Sequence, residues 1–253
     1  FPGGSPMVFG HGLGTDQTMW DQLTPAFEHD HRVVVFDHAG SGRALLAHDP
    51  ARHGTLEGYA DDLVDLLDEL DLPPVTFVGH SASAMVGVLA HVRRPERFAA
   101  LVLVGGSPRY LDGDGWPGGM TEAEVEDFLA AMERNHLAWA ASVAPVVMAN
   151  PDRPELAADL AERFARADAA TALSFARAIL TSDHRDALGT VRVPTLVLQS
   201  EDDPMVPDEV AVRLAAAIPG AQLVRLAARG HFPHLSGRDE TAAAIRSFVD
   251  RLP

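Results

Sequence analysis

Ser81 lies in the run Val75-Thr76-Phe77-Val78-Gly79-His80-Ser81-Ala82-Ser83-Ala84. An apolar stretch suited to a buried strand ends at Gly79, and a small-residue helical stretch begins almost at once after the serine. On so tight a turn a serine hydroxyl is lifted clear of the sheet. The turn demands small neighbours, and Gly79, Ala82, Ser83, Ala84 and Gly87 supply them. The usual pattern is G-x-S-x-G. Here Ser83 takes the last place and is still small enough for a close strand–helix approach. The plainer role for Ser81 is to cap the following helix; the chemical one is nucleophilic attack by an activated hydroxyl.

Such a hydroxyl needs a base within hydrogen-bond reach, and the base needs an orienting carboxylate. On a strand–turn–helix framework the chain order is serine, acid, histidine. Of 12 histidines, His231 follows Gly230 in a loop between the last apolar run and the last helical stretch, where the base belongs. His234 competes with it and reads better as a structural histidine near the pocket wall. His80 adjoins the serine; adjacent side chains diverge on a sharp turn, so it is expected to pack or bond locally. For the acid, Pro204 holds the residue before it in extended geometry, which favours Asp203 over Asp202 and Glu201. Asp37 comes too early in the chain and reads as a turn brace.

The oxyanion needs two backbone N–H donors. Ala82, directly after the nucleophile, should give one, and Leu13 in the glycine-rich loop 10–14 the other. Losing one such donor costs about 10²–10³ in rate. His11 is expected to brace that loop. No Lys or Ser/Thr follows the loop with phosphate-loop spacing. No H-E-x-x-H or H-x-x-E-H spacing occurs, so no metal site is expected, and no cofactor is implied.

These residues must be positioned by a sheet. Apolar runs at 7–10, 32–36, 75–79, 99–104, 195–199 and 222–226 read as strands covered on both faces. Helical patterns at 59–70, 84–93, 209–217 and 240–252 alternate with them. The reading is an α/β fold of the α/β-hydrolase type, with a mostly parallel sheet and helices on both faces. Ligands bind such sheets beyond the strands' carboxyl ends, where the candidate residues lie. From 108 to 191 the alternation stops. Helical stretches at 122–134, 137–148, 155–166 and 169–180 form a four-helix insertion, started by a capping box of Thr121 and Glu124. It reads as a lid. The expected organisation is a core of 1–107 and 192–253 interrupted by a lid at 108–191.

Composition narrows the functions. The 253 residues are 47% hydrophobic, enough for a sizeable core. The net charge of −16 disfavours nucleic acid and anionic membrane surfaces. All 20 basic residues are Arg, which removes a lysine nucleophile or Schiff base and looks like the codon habit of a GC-rich bacterium. With no Cys, disulfides and thiol catalysis are excluded. No apolar run is long enough to span a bilayer and no signal peptide is visible, so a cytoplasmic location is the default expectation.

Taken together, the segments 11–20 (HGLGTDQTMW), 79–87 (GHSASAMVG), 94–98 (RPERF), 107–112 (SPRYLD), 182–185 (SDHR) and 230–234 (GHFPH) resemble the RsbQ group. That group comprises bacterial RsbQ and the plant strigolactone and karrikin receptors. The resemblance covers almost the whole chain and implies Ser81, Asp203 and His231 as the triad. It also implies a V-shaped lid of four helices over an apolar pocket, with Trp139 as a pocket tryptophan. Leu13, Phe128, Val143, Phe175 and Phe232 are the further wall candidates by position. The activity implied is serine hydrolysis of a small hydrophobic ester, lactone or butenolide. The alternative is a sensor that binds or slowly cleaves such a ligand and activates a partner phosphatase.

Overall fold

The computed structural model describes residues 6–252. Six strands form one parallel sheet: β1 Met7–Gly10, β2 Val33–Phe36, β3 Val75–His80, β4 Phe98–Val104, β5 Thr195–Glu201 and β6 Gln222–Arg229. Their order is β2-β1-β3-β4-β5-β6. The chain moves outward from β1 to β2, then crosses to the other side of β1 for β3. The crevice left by that reversal lies beyond the ends of β1 and β3, where an open α/β sheet binds its ligand.

Burial differs along the sheet. β3 is buried throughout, and β4 and β5 nearly so. The edge strands β2 and β6 are only partly covered. β6 runs past the expected end at 226 to Arg229, and there the Glu240 carboxylate accepts the Ala227 and Ala228 N–H groups at 2.7 and 2.9 Å. An exposed edge thereby gains partners.

Helices α1 Leu56–Glu69 and α2 Ala82–Arg93 flank the first half of the sheet. α1 buries Leu56, Tyr59, Leu63 and Leu67 along one stripe, spaced as the helical repeat requires. The insertion between β4 and β5 holds α3 Glu122–Arg134, α4 His136–Met148, α5 Pro154–Arg166 and α6 Ala169–Leu180. The Thr121–Glu124 capping box is formed at the start of α3. α4 ends at Ala149, which adopts φ +50°. The chain returns through α7 Asp208–Ala217 and closes with α8 Arg238–Val249. α8 starts and stops earlier than the expected 240–252, with Asp239 and Glu240 in its first turn, where acids favour the helix dipole. Among the described residues no helix is long and apolar enough to cross a membrane.

Candidate active site

Ser81 lies between β3 and α2 with φ +55° and ψ −117°. A residue with a Cβ pays for this region in strain, on the order of 1–3 kcal/mol. The turn closes because Gly79 has no side chain: a Cβ there would lie 2.3 Å from the Ser83 carbonyl oxygen. Ser81 makes no side-chain cap bond to α2. Its Oγ instead sits 2.9 Å from Nε2 of His231.

The imidazole of His231 continues the line. Its Nδ1 lies 2.9 Å from Oδ2 and 3.1 Å from Oδ1 of Asp203. Asp203 Oδ1 also accepts the backbone N–H groups of Met205 and Val206 at 2.8 and 3.1 Å, which fixes the carboxylate plane. A proton on Nδ1 bonded to the carboxylate leaves the Nε2 lone pair facing Ser81, the arrangement that can take a hydroxyl proton. Asp202 is turned away at φ +50° and pairs on the surface with Arg229.

His80, His11 and His38 act as braces. His80 Nε2 donates to the His231 carbonyl oxygen at 2.8 Å. The bond is not local, as expected from sequence, but spans the whole fold. His11 Nε2 accepts the His38 N–H at 3.1 Å, so its Nδ1 donates to the Gly12 carbonyl at 2.9 Å and braces the glycine-rich loop. Ser83 donates to the His11 carbonyl at 2.6 Å and accepts from His38 Nε2 at 2.7 Å. Its hydroxyl thus links the Ser81 turn to the loop after β1. Asp37 accepts the Gln17 and Arg43 N–H groups at 2.7 Å each, as a turn brace does. Ala82 is the first residue of α2, where backbone N–H groups lack helical partners, and Leu13 lines the space above Ser81.

That space is a cavity of about 40 Å³. Phe128, Trp139, Val143 and Phe232 line it, as the sequence suggested. Trp139 stacks on Phe164 with ring centres 5.1 Å apart. Phe175 requires a correction. Its ring packs 4.4 Å from Tyr59 and 5.5 Å from His38, in the seam between insertion and core. It lies one turn before Ile179 on α6, about 6 Å along the axis, and it is Ile179 and Leu180 that face the cavity. Phe164, Val147, Met205 and Tyr110 also line it and were missed. Met205 follows the end of β5 closely, so the strand-end rule that singled out Ser81, Asp203 and His231 also reaches it. The Tyr110 hydroxyl is 3.5 Å from Ser81 Oγ, and burial pushes its pKa up to about 12. It stays a protonated donor. Among the described residues no group of three potential ligands gathers to hold a metal.

Residues 7–244 match the profile of the Alpha/beta hydrolase family. The chain belongs to the α/β-hydrolase family. Its relatives include a strigolactone esterase of Pisum sativum, 39% identical over 91% of this hydrolase and 87% of that protein. Karrikin insensitive 2 receptor CA of Petunia hybrida is 36% identical over 94% of this chain and 88% of its own. Among solved structures, a hydrolase from Oleispira antarctica superposes with a TM-score of 0.94 at 31% identity, covering 98% of this chain and 92% of that one.

Burial also sets how this hydrolase responds to acid. His234 is fully buried against Trp20 and His80, with ring centres 4.6 Å away in each case, and its pKa is lowered to about 3 by that burial. Burial likewise pushes His80 and His38 well below their ordinary value. The unfolded chain therefore takes up protons first as pH falls through about 6.5. Stability that is complete above that range is lost below it. For His234 alone the loss between pH 7 and pH 5 is about 2 kcal/mol. Thermal scans should show the unfolding midpoint falling over this interval, and less steeply in His234→Phe. A midpoint flat from pH 7 to pH 5 would contradict the burial of these rings.

Proposed function

We propose that this protein is a ligand-sensing serine hydrolase that binds a small hydrophobic ester or lactone, is acylated at Ser81 and turns over slowly. The observation that carries the reading is the unbroken line from Asp203 through His231 to Ser81, with 2.9 Å at each step. Ser81 Oγ attacks the carbonyl carbon as its proton passes to His231 Nε2. The tetrahedral oxyanion accepts from the N–H groups of Leu13 and Ala82. His231 returns the proton to the leaving oxygen, and water then releases the acid from the acyl-enzyme.

The wall residues support an apolar ligand. Leu13, Phe128, Trp139, Val143 and Phe232 leave few polar groups beyond the triad and Tyr110 to orient it. The sensing part of the reading is supported by relatives whose names pair esterase and receptor on one family framework. The resemblance to the RsbQ group implies a phosphatase as the class of partner that this reading carries. An ordinary fast esterase is the competing reading from the same residues.

Stopped-flow release of p-nitrophenol from p-nitrophenyl acetate tests the proposal. The expected trace is a burst of about one equivalent per chain, followed by a much slower steady rate, the signature of an accumulating acyl-enzyme. Rapid linear turnover without a burst would make the protein an ordinary esterase. No release at all would overturn the hydrolytic reading.

A further inference from the structure

The backbone of His231 is gripped from two sides. Its carbonyl accepts from His80 on the nucleophile strand at 2.8 Å. Its N–H donates to the Val147 carbonyl, in the last turn of α4, at 2.8 Å. The last carbonyls of a helix have no partner within it and usually turn to water or a cap. Here one of them holds the peptide group of the candidate base.

The adjoining residues tighten this junction. Gly230 has φ +83°, and a Cβ on it would lie 2.0 Å from the Met148 carbonyl oxygen. The His231 loop therefore packs directly on the end of α4. Beside it, Asn150 is buried at 6% exposure. Its Nδ2 donates to the Met148 carbonyl at 2.5 Å and to the Arg229 carbonyl at 3.0 Å. One carbonyl belongs to the insertion and the other to the end of β6. Its Oδ1 accepts from Arg153 Nη2 at 2.6 Å, and the same nitrogen donates to the Ser236 carbonyl at 2.7 Å. Arginine can only donate, so the amide's orientation is set, with its NH2 facing the two carbonyls.

We propose that Asn150 is a positioning residue for the base: it staples the insertion to the strand end that bears His231, so that the imidazole holds its place against Ser81 only while α4 is seated. The inference rests on the hydrolytic reading for its meaning but not for its test. When α4 shifts, the Val147 carbonyl moves with it and the His231 loop loses one of its two grips. Ligand admission and alignment of the base thereby become one event.

The test uses the full chain with Asn150→Ala and Asn150→Asp. The aspartate has the shape of asparagine and keeps an oxygen for Arg153, but removes both N–H donors. A residue that merely fills space would tolerate it. The first readout is the far-downfield proton resonance of the hydrogen shared by His231 Nδ1 and Asp203, which needs no substrate. The second is kcat and KM on p-nitrophenyl acetate. We expect the resonance to broaden or vanish in both variants, with kcat falling about 10- to 100-fold and KM within about twofold, as for a displaced catalytic group. Leu137→Ser, on the exposed side of α4, should leave both readouts unchanged. A sharp wild-type resonance and wild-type kcat in both Asn150 variants would overturn the proposal. If an Asn150 variant fails to fold, hydrogen exchange in the wild-type chain decides: the Asn150 side-chain NH2 protons should be protected, and free exchange there would refute the staple. Should the wild type cleave no ester, the hydrolytic reading fails while the resonance and the exchange still judge Asn150.

Discussion

Ser81→Ala should remove ester hydrolysis by on the order of 10⁶ in kcat while the chain folds as before. The size follows from the arrangement around one oxygen. Ser81 Oγ has His231 Nε2 at 2.9 Å and the Tyr110 hydroxyl at 3.5 Å, and among the described residues no other hydroxyl is hydrogen-bonded to the imidazole. Alanine keeps the Cβ, so it inherits the same strained φ of +55° and the same packing. Its thermal midpoint should match the wild type. Ser81→Gly provides the contrast, because glycine occupies positive φ without steric cost. It should be equally inactive yet unfold at a higher temperature. Steady-state kinetics with p-nitrophenyl acetate and thermal circular dichroism measure both. Wild-type turnover in either variant would sink the assignment of Ser81.

Asp203→Asn should cost about 10⁴ in kcat with little change in the fold. The backbone decides how the new amide sits. The N–H groups of Met205 and Val206 both point at Oδ1 and will hold the amide oxygen there. The NH2 then faces His231 Nδ1, which can accept that hydrogen bond only if it gives up its own proton. The proton moves to Nε2, and the imidazole presents a donor to Ser81 where a lone pair is needed. The loss should appear mainly in kcat. A reduction smaller than about tenfold would mean that the carboxylate does not orient the base.

Much of this was legible because parallel strands covered on both faces appear as uninterrupted apolar runs. Val75–His80 and Phe98–Val104 are such runs, and the residues just beyond strand ends form a short roster of chemical candidates. That roster singles out Ser81, Asp203 and His231 as candidates, and the structure brings their side chains into one hydrogen-bonded line; Pro204 separates Asp203 from its acidic neighbours. The wall was harder to read. A helical pattern gives the face of a residue but not its depth along the axis, which is why the sequence points to Phe175 where Ile179 faces the cavity. Tyr110 escaped because five irregular residues separate it from the end of β4. The bonds from His80 to the His231 carbonyl and from His231 to Val147 join residues 151 and 84 positions apart, and no periodicity encodes such pairs.

The volume above Ser81, about 40 Å³, has room for a few water molecules. Pockets for small molecules usually measure about 300–1,000 Å³. A ligand of that size would have to be admitted by a roomier arrangement of the four inserted helices, and its apparent affinity would then be diluted by the fraction of molecules that adopt it. Any substitution or partner that props those helices apart would strengthen binding without adding a single contact to the ligand.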